Sequence, residues 1–291
     1  MRAGVRAMLW IGVVALAAMI LGGGCGRSPS GRVASDPAVA VAATAKADNS
    51  VDKAQPDTRA LERTITRAGK ERKYAFLLFY MKGQSASEGM LATFRKTEGK
   101  LNDKAVFLAI ERRSDAGREL ADKYGIAMLE LPVTLVMAPS GTIVRGFPKP
   151  VGETVLANAF VSPVTELLLK KLQDGKLVIL CVQGAKTKYN KESLAAAKGL
   201  ARDASLKGRV EILMLDPSKK VEAQLLKDCR LTGNITEANA LVLVPPNRLV
   251  ATVAGATTKD ALMASLKRGL TASSGCGPGA SPGCCPKPPA R

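Results

Sequence analysis

Between residues 57 and 271, hydrophobic and polar positions alternate between two rhythms. Short continuous apolar runs predict strands covered on both faces, and apolar residues spaced three or four apart predict helices. A helix is expected over residues 59–69, behind a cap at Asp57-Thr58. The run at residues 74–81 predicts a first strand. Met90, Leu91, Phe94 and Leu101 place a helix over 87–101. A strand at 105–110, a helix at 117–124 and a strand at 133–137 follow. The Pro139-Ser-Gly-Thr142 turn leads into a strand at 143–146 and a helix at 153–160. The pattern then recurs: strand 177–182, helix 192–204, strand 210–215, helix 220–229 and strand 240–244. A turn at Pro245-Pro-Asn-Arg248, strand 249–253 and helix 259–270 complete it. Aligning Leu135 with Leu243 gives a repeat of about 108 residues, so the simplest account is two copies of one βαβαββα unit. Strand–helix–strand crossovers require parallel pairing at the centre of each sheet, and the tight turn adds an antiparallel hairpin. The expected fold class is therefore α/β, with two tandem units of mixed central sheet and flanking helices.

The flanks follow neither rhythm. Arg2 and Arg6 precede an apolar stretch from Met8 to Leu21, which ends in Leu-Gly-Gly-Gly-Cys25. The stretch suits a signal peptide and is short for a span, which needs about 20 apolar residues. Its ending resembles a bacterial lipobox, with Leu21 one place upstream of the usual position and Gly22 at the apolar one. The resemblance implies lipidation of Cys25; the other reading is an unmodified cysteine behind a retained anchor. Both place the bulk of the chain outside the cytoplasm, anchored on the periplasmic or extracellular side. Residues 26–56, rich in Ala, Ser, Gly, Pro, Asp and Val, are expected to be a flexible tether. The expected organisation is a signal segment at 1–25, a linker at 26–56, domains at 57–161 and 162–271, and a tail at 272–291.

Composition narrows the chemistry. There is no histidine, which removes Ser-His and Cys-His nucleophile pairs and histidine metal triads. With aromatics at 4% of residues, the cores must rest on Val, Leu, Ile, Ala and Met. A net charge of +18 favours acidic partners. The lysines and arginines are spread along the chain without a dense run or aromatic interleaving, which weighs against nucleic acid.

The order of elements, with a proline just before the hairpin, resembles the thioredoxin fold. The residues that carry the likeness are Ala75-Phe-Leu-Leu-Phe-Tyr80, Tyr124-Gly-Ile, Leu131-Pro132-Val133-Thr134-Leu135 and Ser140-Gly-Thr-Ile-Val144. It covers roughly residues 60–160 and, more weakly, 175–270. The resemblance implies a cis bond before Pro132; a trans proline opening a strand is the plain alternative. It also implies a Cys-x-x-Cys on the loop after the first strand, where a helix N-terminus would stabilise a thiolate. This chain has Gly83-Gln-Ser-Ala-Ser-Glu88 there, with Gln84 and Ser87 at about the cysteine spacing. Neither exchanges thiols, so dithiol catalysis from this loop is excluded, and Ser85 or Ser87 is expected to cap the helix. The second copy has Gln183-Gly-Ala-Lys-Thr-Lys-Tyr-Asn190 and no proline before Ala240. Cys181 and Cys229 read as small buried hydrophobes, or as one structural disulfide.

The resemblance then implies a non-catalytic module that binds a protein or peptide partner, without a cofactor, and the N-terminal segment places it in the envelope. Its cleft would involve Gln84, Ser85, Ser87, Leu131, Pro132 and Val133, and the strand edge there could accept an extended chain. The alternative is a thiol–disulfide or soft-metal protein acting through Cys276, Cys284 and Cys285 in the Gly- and Pro-rich tail.

Overall fold

The computed structural model describes residues 57–271. The expectations for Cys25, the tether, and Cys276, Cys284 and Cys285 lie outside the described residues.

Helix α1 (Thr58–Lys70) starts where Asp57 accepts a hydrogen bond from the Ala60 N–H at 2.6 Å. Strand β1 (Tyr74–Tyr80), helix α2 (Ser85–Leu101), strand β2 (Ala105–Glu111) and helix α3 (Asp115–Lys123) follow. Strands β3 (Val133–Met137) and β4 (Ile143–Phe147) form the hairpin, and α4 (Glu153–Ala157) closes the half. The sheet order is β2-β1-β3-β4, with β1 parallel to β2 and antiparallel to β3. The second half repeats this with α5 (Pro163–Gln173), β5 (Leu177–Val182), α6 (Asn190–Ala201), β6 (Val210–Leu215), α7 (Ala223–Asp228), β7 (Asn239–Val244), β8 (Arg248–Ala254) and α8 (Lys259–Thr271). Its sheet order is β6-β5-β7-β8, with the same pattern of pairing. Among the described residues no helix is long and apolar enough to cross a membrane.

The continuous apolar runs have a direct cause. Phe76 and Leu78 of β1 face Met90, Leu91 and Phe94 of α2, whereas Ala75, Leu77 and Phe79 face Leu61 of α1 and Leu120 of α3. Strand β5 does likewise. Val178, Leu180 and Val182 meet Leu168 and Leu172 of α5 on one side, while Ile179 and Cys181 meet Ala197 and Leu200 of α6 on the other. Each fully buried large side chain contributes about 1.5–3 kcal/mol of transfer free energy, so both faces favour apolar residues at every position.

The structure corrects the sequence reading in several places. The third strands align as Leu135 with Leu241, 106 positions apart, because Leu77 pairs with Leu135 and Leu180 with Leu241. The error of two residues preserves parity, so it left the buried faces unchanged. Each unit also carries a leading helix. Helix α5 was missed although Ser162 caps it, accepting from the Thr165 N–H at 3.1 Å, and Pro163 begins it. The expected helix over 153–160 stops at Ala157, because Phe160 leaves the helix to pack against Tyr74 and Phe76. The expected helix over 220–229 is a 3-10 turn, Lys220–Glu222, followed by the short α7. Glu222 is buried there and accepts a 2.6 Å hydrogen bond from Ser162.

Cys181 and Cys229 are free and buried. They belong to different core clusters on opposite faces of the second sheet, so the alternative of a disulfide between them is set aside. Desolvation pushes both thiols up to about 11. At pH 8 only about one folded molecule in a thousand then holds either thiolate. Iodoacetamide at pH 8 should leave both cysteines unmodified in the folded protein and alkylate both in urea, read by peptide mass spectrometry. A cysteine in the unfolded chain titrates near pH 8.5, so this contribution to stability is complete below that pH and lost as pH rises towards 11. The urea midpoint of the native chain should therefore fall more steeply above pH 8.5 than that of Cys181→Ala/Cys229→Ala. Equal slopes would show that the burial does not control the thiols.

Gly117 sets how closely α3 approaches β2. A Cβ added there would lie 1.9 Å from the Glu111 carbonyl oxygen, a backbone atom. Gly117→Ala should lower unfolding free energy by about 2 kcal/mol or more, measured by urea denaturation. An unchanged midpoint would contradict this approach.

Candidate functional site

Strand β1 is paired on both edges and covered on both faces, so its chain becomes accessible only towards its ends, and the loop into α2 leaves from the C-terminal one. There Met81-Lys-Gly-Gln84 turns into α2, with Gly83 in the left-handed region at φ 79°. Gln84 occupies the N-cap position without a side-chain cap bond, Ser85 is the first helical residue, and Ser87 is fully buried. The expected serine cap is therefore absent. Ser87 Oγ instead accepts from the Met81 N–H at 3.2 Å and donates to Gln84 Oε1 at 2.9 Å. Glu88 accepts from the Gly83 N–H at 3.3 Å. The two side chains at the expected sulfur positions are thus bonded to each other, pinning the loop to the helix.

The chain enters β3 beside this loop. Val133 pairs with Phe79, and the Leu131–Pro132 bond is cis. Pro132 and Val133 are buried beneath the surface, while Leu131 is half-buried. Between the Gln84 turn and Leu131 lies an open groove of about 680 Å3. Met81, Gln84, Leu129 and Leu131 line it together with Arg112, Arg113 and Arg118. Among the described residues, the backbone N–H and C=O of Leu131 have no hydrogen-bond partner. Of the six residues expected at a cleft, Gln84 and Leu131 line this groove. Ser85 lies exposed beside it, and Ser87, Pro132 and Val133 lie underneath.

The sequence reading missed the arginines, Met81 and Leu129. Arg112 and Arg113 follow β2, and Arg118 lies on α3, so only the sheet order brings them to Leu131. Leu129 and its neighbour Met128 offered one signal, being apolar residues outside any element; they are 36% and 94% exposed.

The second half treats the same place differently. Asn239 pairs with Val182 as Val133 pairs with Phe79, so Ala238 stands where the first half has Pro132. The Gln183–Tyr189 loop folds back on it. Lys188 donates its N–H to the Thr236 carbonyl at 2.9 Å, and its carbonyl accepts from the Ala238 N–H at 2.9 Å. Together these make a parallel bridge to Glu237, the counterpart of Leu131. Thr187 holds the loop in this shape, its Oγ accepting from the Gly184 N–H at 2.8 Å and bonding Asn190 at 2.6 Å. A proline has no N–H, so no loop could close on position 132 with this pattern.

Neither a protein-family model nor a curated protein matches the sequence. The solved structures it is similar to include the germline-specific thioredoxin Deadhead of Drosophila melanogaster, at 22% identity and TM-score 0.30, covering 35% of this chain and 90% of that one. Another is the first two thioredoxin domains of Saccharomyces cerevisiae Eps1p, at 10% identity and TM-score 0.30, covering 73% and 96%. A third is a domain of alkylhydroperoxide reductase AhpF from Enterococcus faecalis, at 17% identity and TM-score 0.28, covering 72% and 98%. These likenesses are slight, and the fold stands on the strand order, the pairing directions and the helix placement themselves. On that ground the chain contains two tandem domains of thioredoxin-like fold.

Proposed function

We propose that this chain is a non-catalytic, envelope-located binding protein whose first domain captures an extended segment of a protein partner. The observation that carries the reading is the unpaired backbone of Leu131 on an open groove, whereas in the second domain Lys188 bonds the residues on either side of Glu237, the counterpart of Leu131. A chain laid along Leu131 would gain backbone hydrogen bonds by strand addition, which require no sulfur. Gln84 and Ser87 supply neither a nucleophile nor an ionisable group, and the chain has no histidine to activate a hydroxyl. The N-terminal signal-like segment and the lipobox-like Cys25 support an envelope location with the domains held outside the cytoplasm.

The test is affinity capture from the native membrane fraction, followed by mass spectrometry. Leu129→Asp changes an exposed groove residue and should remove the captured partner. Val221→Asp, at a 60% exposed position in the second domain, should retain it. Equal capture by both variants would refute this placement. In an insulin-reduction assay the full chain should not exceed the reductant alone. Activity lost on truncation after Leu270 would transfer the function to the tail cysteines.

A further inference from the structure

We infer that the groove of the first domain selects a carboxylate-bearing extended chain, an inference that rests on the binding role proposed above and names the chemistry of the occupant. Three arginines and one acidic residue, Glu130, line the groove. Arg112 is half-buried, and its Nη2 donates to the Ala127 carbonyl at 3.2 Å, which holds the guanidinium at the groove wall. Among the described residues no carboxylate pairs with Arg112, and the exposed Arg113 side chain has no partner. Arg118 is already paired with Asp115 at the rim and also donates to the Arg113 carbonyl. Two unneutralised guanidiniums therefore share one wall with the open backbone of Leu131.

Their placement is built into the fold. Ser114 caps α3, accepting from the Gly117 N–H at 3.0 Å and donating to the Glu111 carbonyl at 2.8 Å. This fixes the turn that carries Arg113 and directs Arg118 to the same side. Guanidiniums bind carboxylates through two parallel hydrogen bonds, and a half-buried one does so with less competition from water. Met81 and Leu129 add apolar contact on the same groove. An added strand shows its side chains to alternate sides, so carboxylates interleaved with apolar residues match what the groove offers. A nucleic acid would satisfy the arginines but leave the peptide-like hydrogen-bonding groups of Leu131 unmatched.

Fluorescence anisotropy with the full chain tests this, using labelled capped octapeptides that alternate valine with glutamate, glutamine or lysine, and an octathymidylate. The glutamate peptide should bind about tenfold more tightly than the glutamine peptide, a difference of ~1.4 kcal/mol, and the lysine peptide more weakly still. The advantage should shrink as salt is raised. Arg112→Gln/Arg113→Gln should bring the glutamate peptide down to the glutamine level and leave the glutamine peptide unchanged. Equal affinity for the glutamate and glutamine peptides would overturn the acidic preference while leaving the groove as a peptide site. No binding of any peptide would overturn both readings. Octathymidylate binding tighter than the glutamate peptide, and lost in the same variant, would overturn the inference by assigning the arginines to phosphate.

Discussion

Everything in this molecule depends on two strands that have no free side. β1 and β5 are each hydrogen-bonded along both edges and packed on both faces. Their backbone groups are satisfied within the sheet, and their fully buried side chains are all apolar. Such a strand can contribute to function only where it stops. Loop, groove and partner edge all gather at the C-terminal end of β1, beside the N-terminal end of β3, because the rest of the strand is sealed.

The two domains solve the same packing problem with different materials. All six phenylalanines lie in the first, where Phe76 stacks on Phe107 with centroids 4.7 Å apart and Phe94 meets Phe107 edge-on at 4.9 Å. The second core uses leucine, valine, isoleucine, alanine and two cysteines. Helix α5 joins them. Leu169 enters the first core and Leu168 and Leu172 the second, while Gln173 donates to the Ile143 carbonyl at 2.7 Å and accepts from its N–H at 3.3 Å. Those two bonds cap the edge of β4 with a side-chain amide and close a site where another strand could add. The carboxylate of Glu222, buried against Ser162 at the start of α5, ties the same helix to the second domain.

The sequence made the strands readable because burial on both faces leaves an unbroken apolar run; β3, β5 and β6 have the bounds that the runs predicted. Helix ends were less legible, since they depend on which side chain leaves the helix for the core, as Phe160 does. Helix α5 had a start signal in Ser162-Pro163 and was still passed over, because the repeat was counted from strand to strand. The groove was half legible. Gln84 and Leu131 follow from the thioredoxin-like order, but Arg112, Arg113 and Arg118 reach Leu131 only because β2 lies next to β1. The closure in the second domain runs through the backbone of Lys188, so its only side-chain trace is the Thr187 and Asn190 pair that holds the loop.

That closure turns on one atom. The segment before the third strand presents an edge, and an edge near the protein surface is satisfied by water, by another chain or by its own chain. With alanine at 238 an N–H is available, and Lys188 binds it within a loop already bent by Thr187 and Asn190. With proline at 132 that N–H does not exist, and the Gln84 turn is held instead against α2 through Ser87. The proline therefore does more than shape the entry to β3. By denying the loop a donor it rules out the bridge that Lys188 makes around Glu237, so a fold repeated twice in one chain keeps one edge open and closes the other.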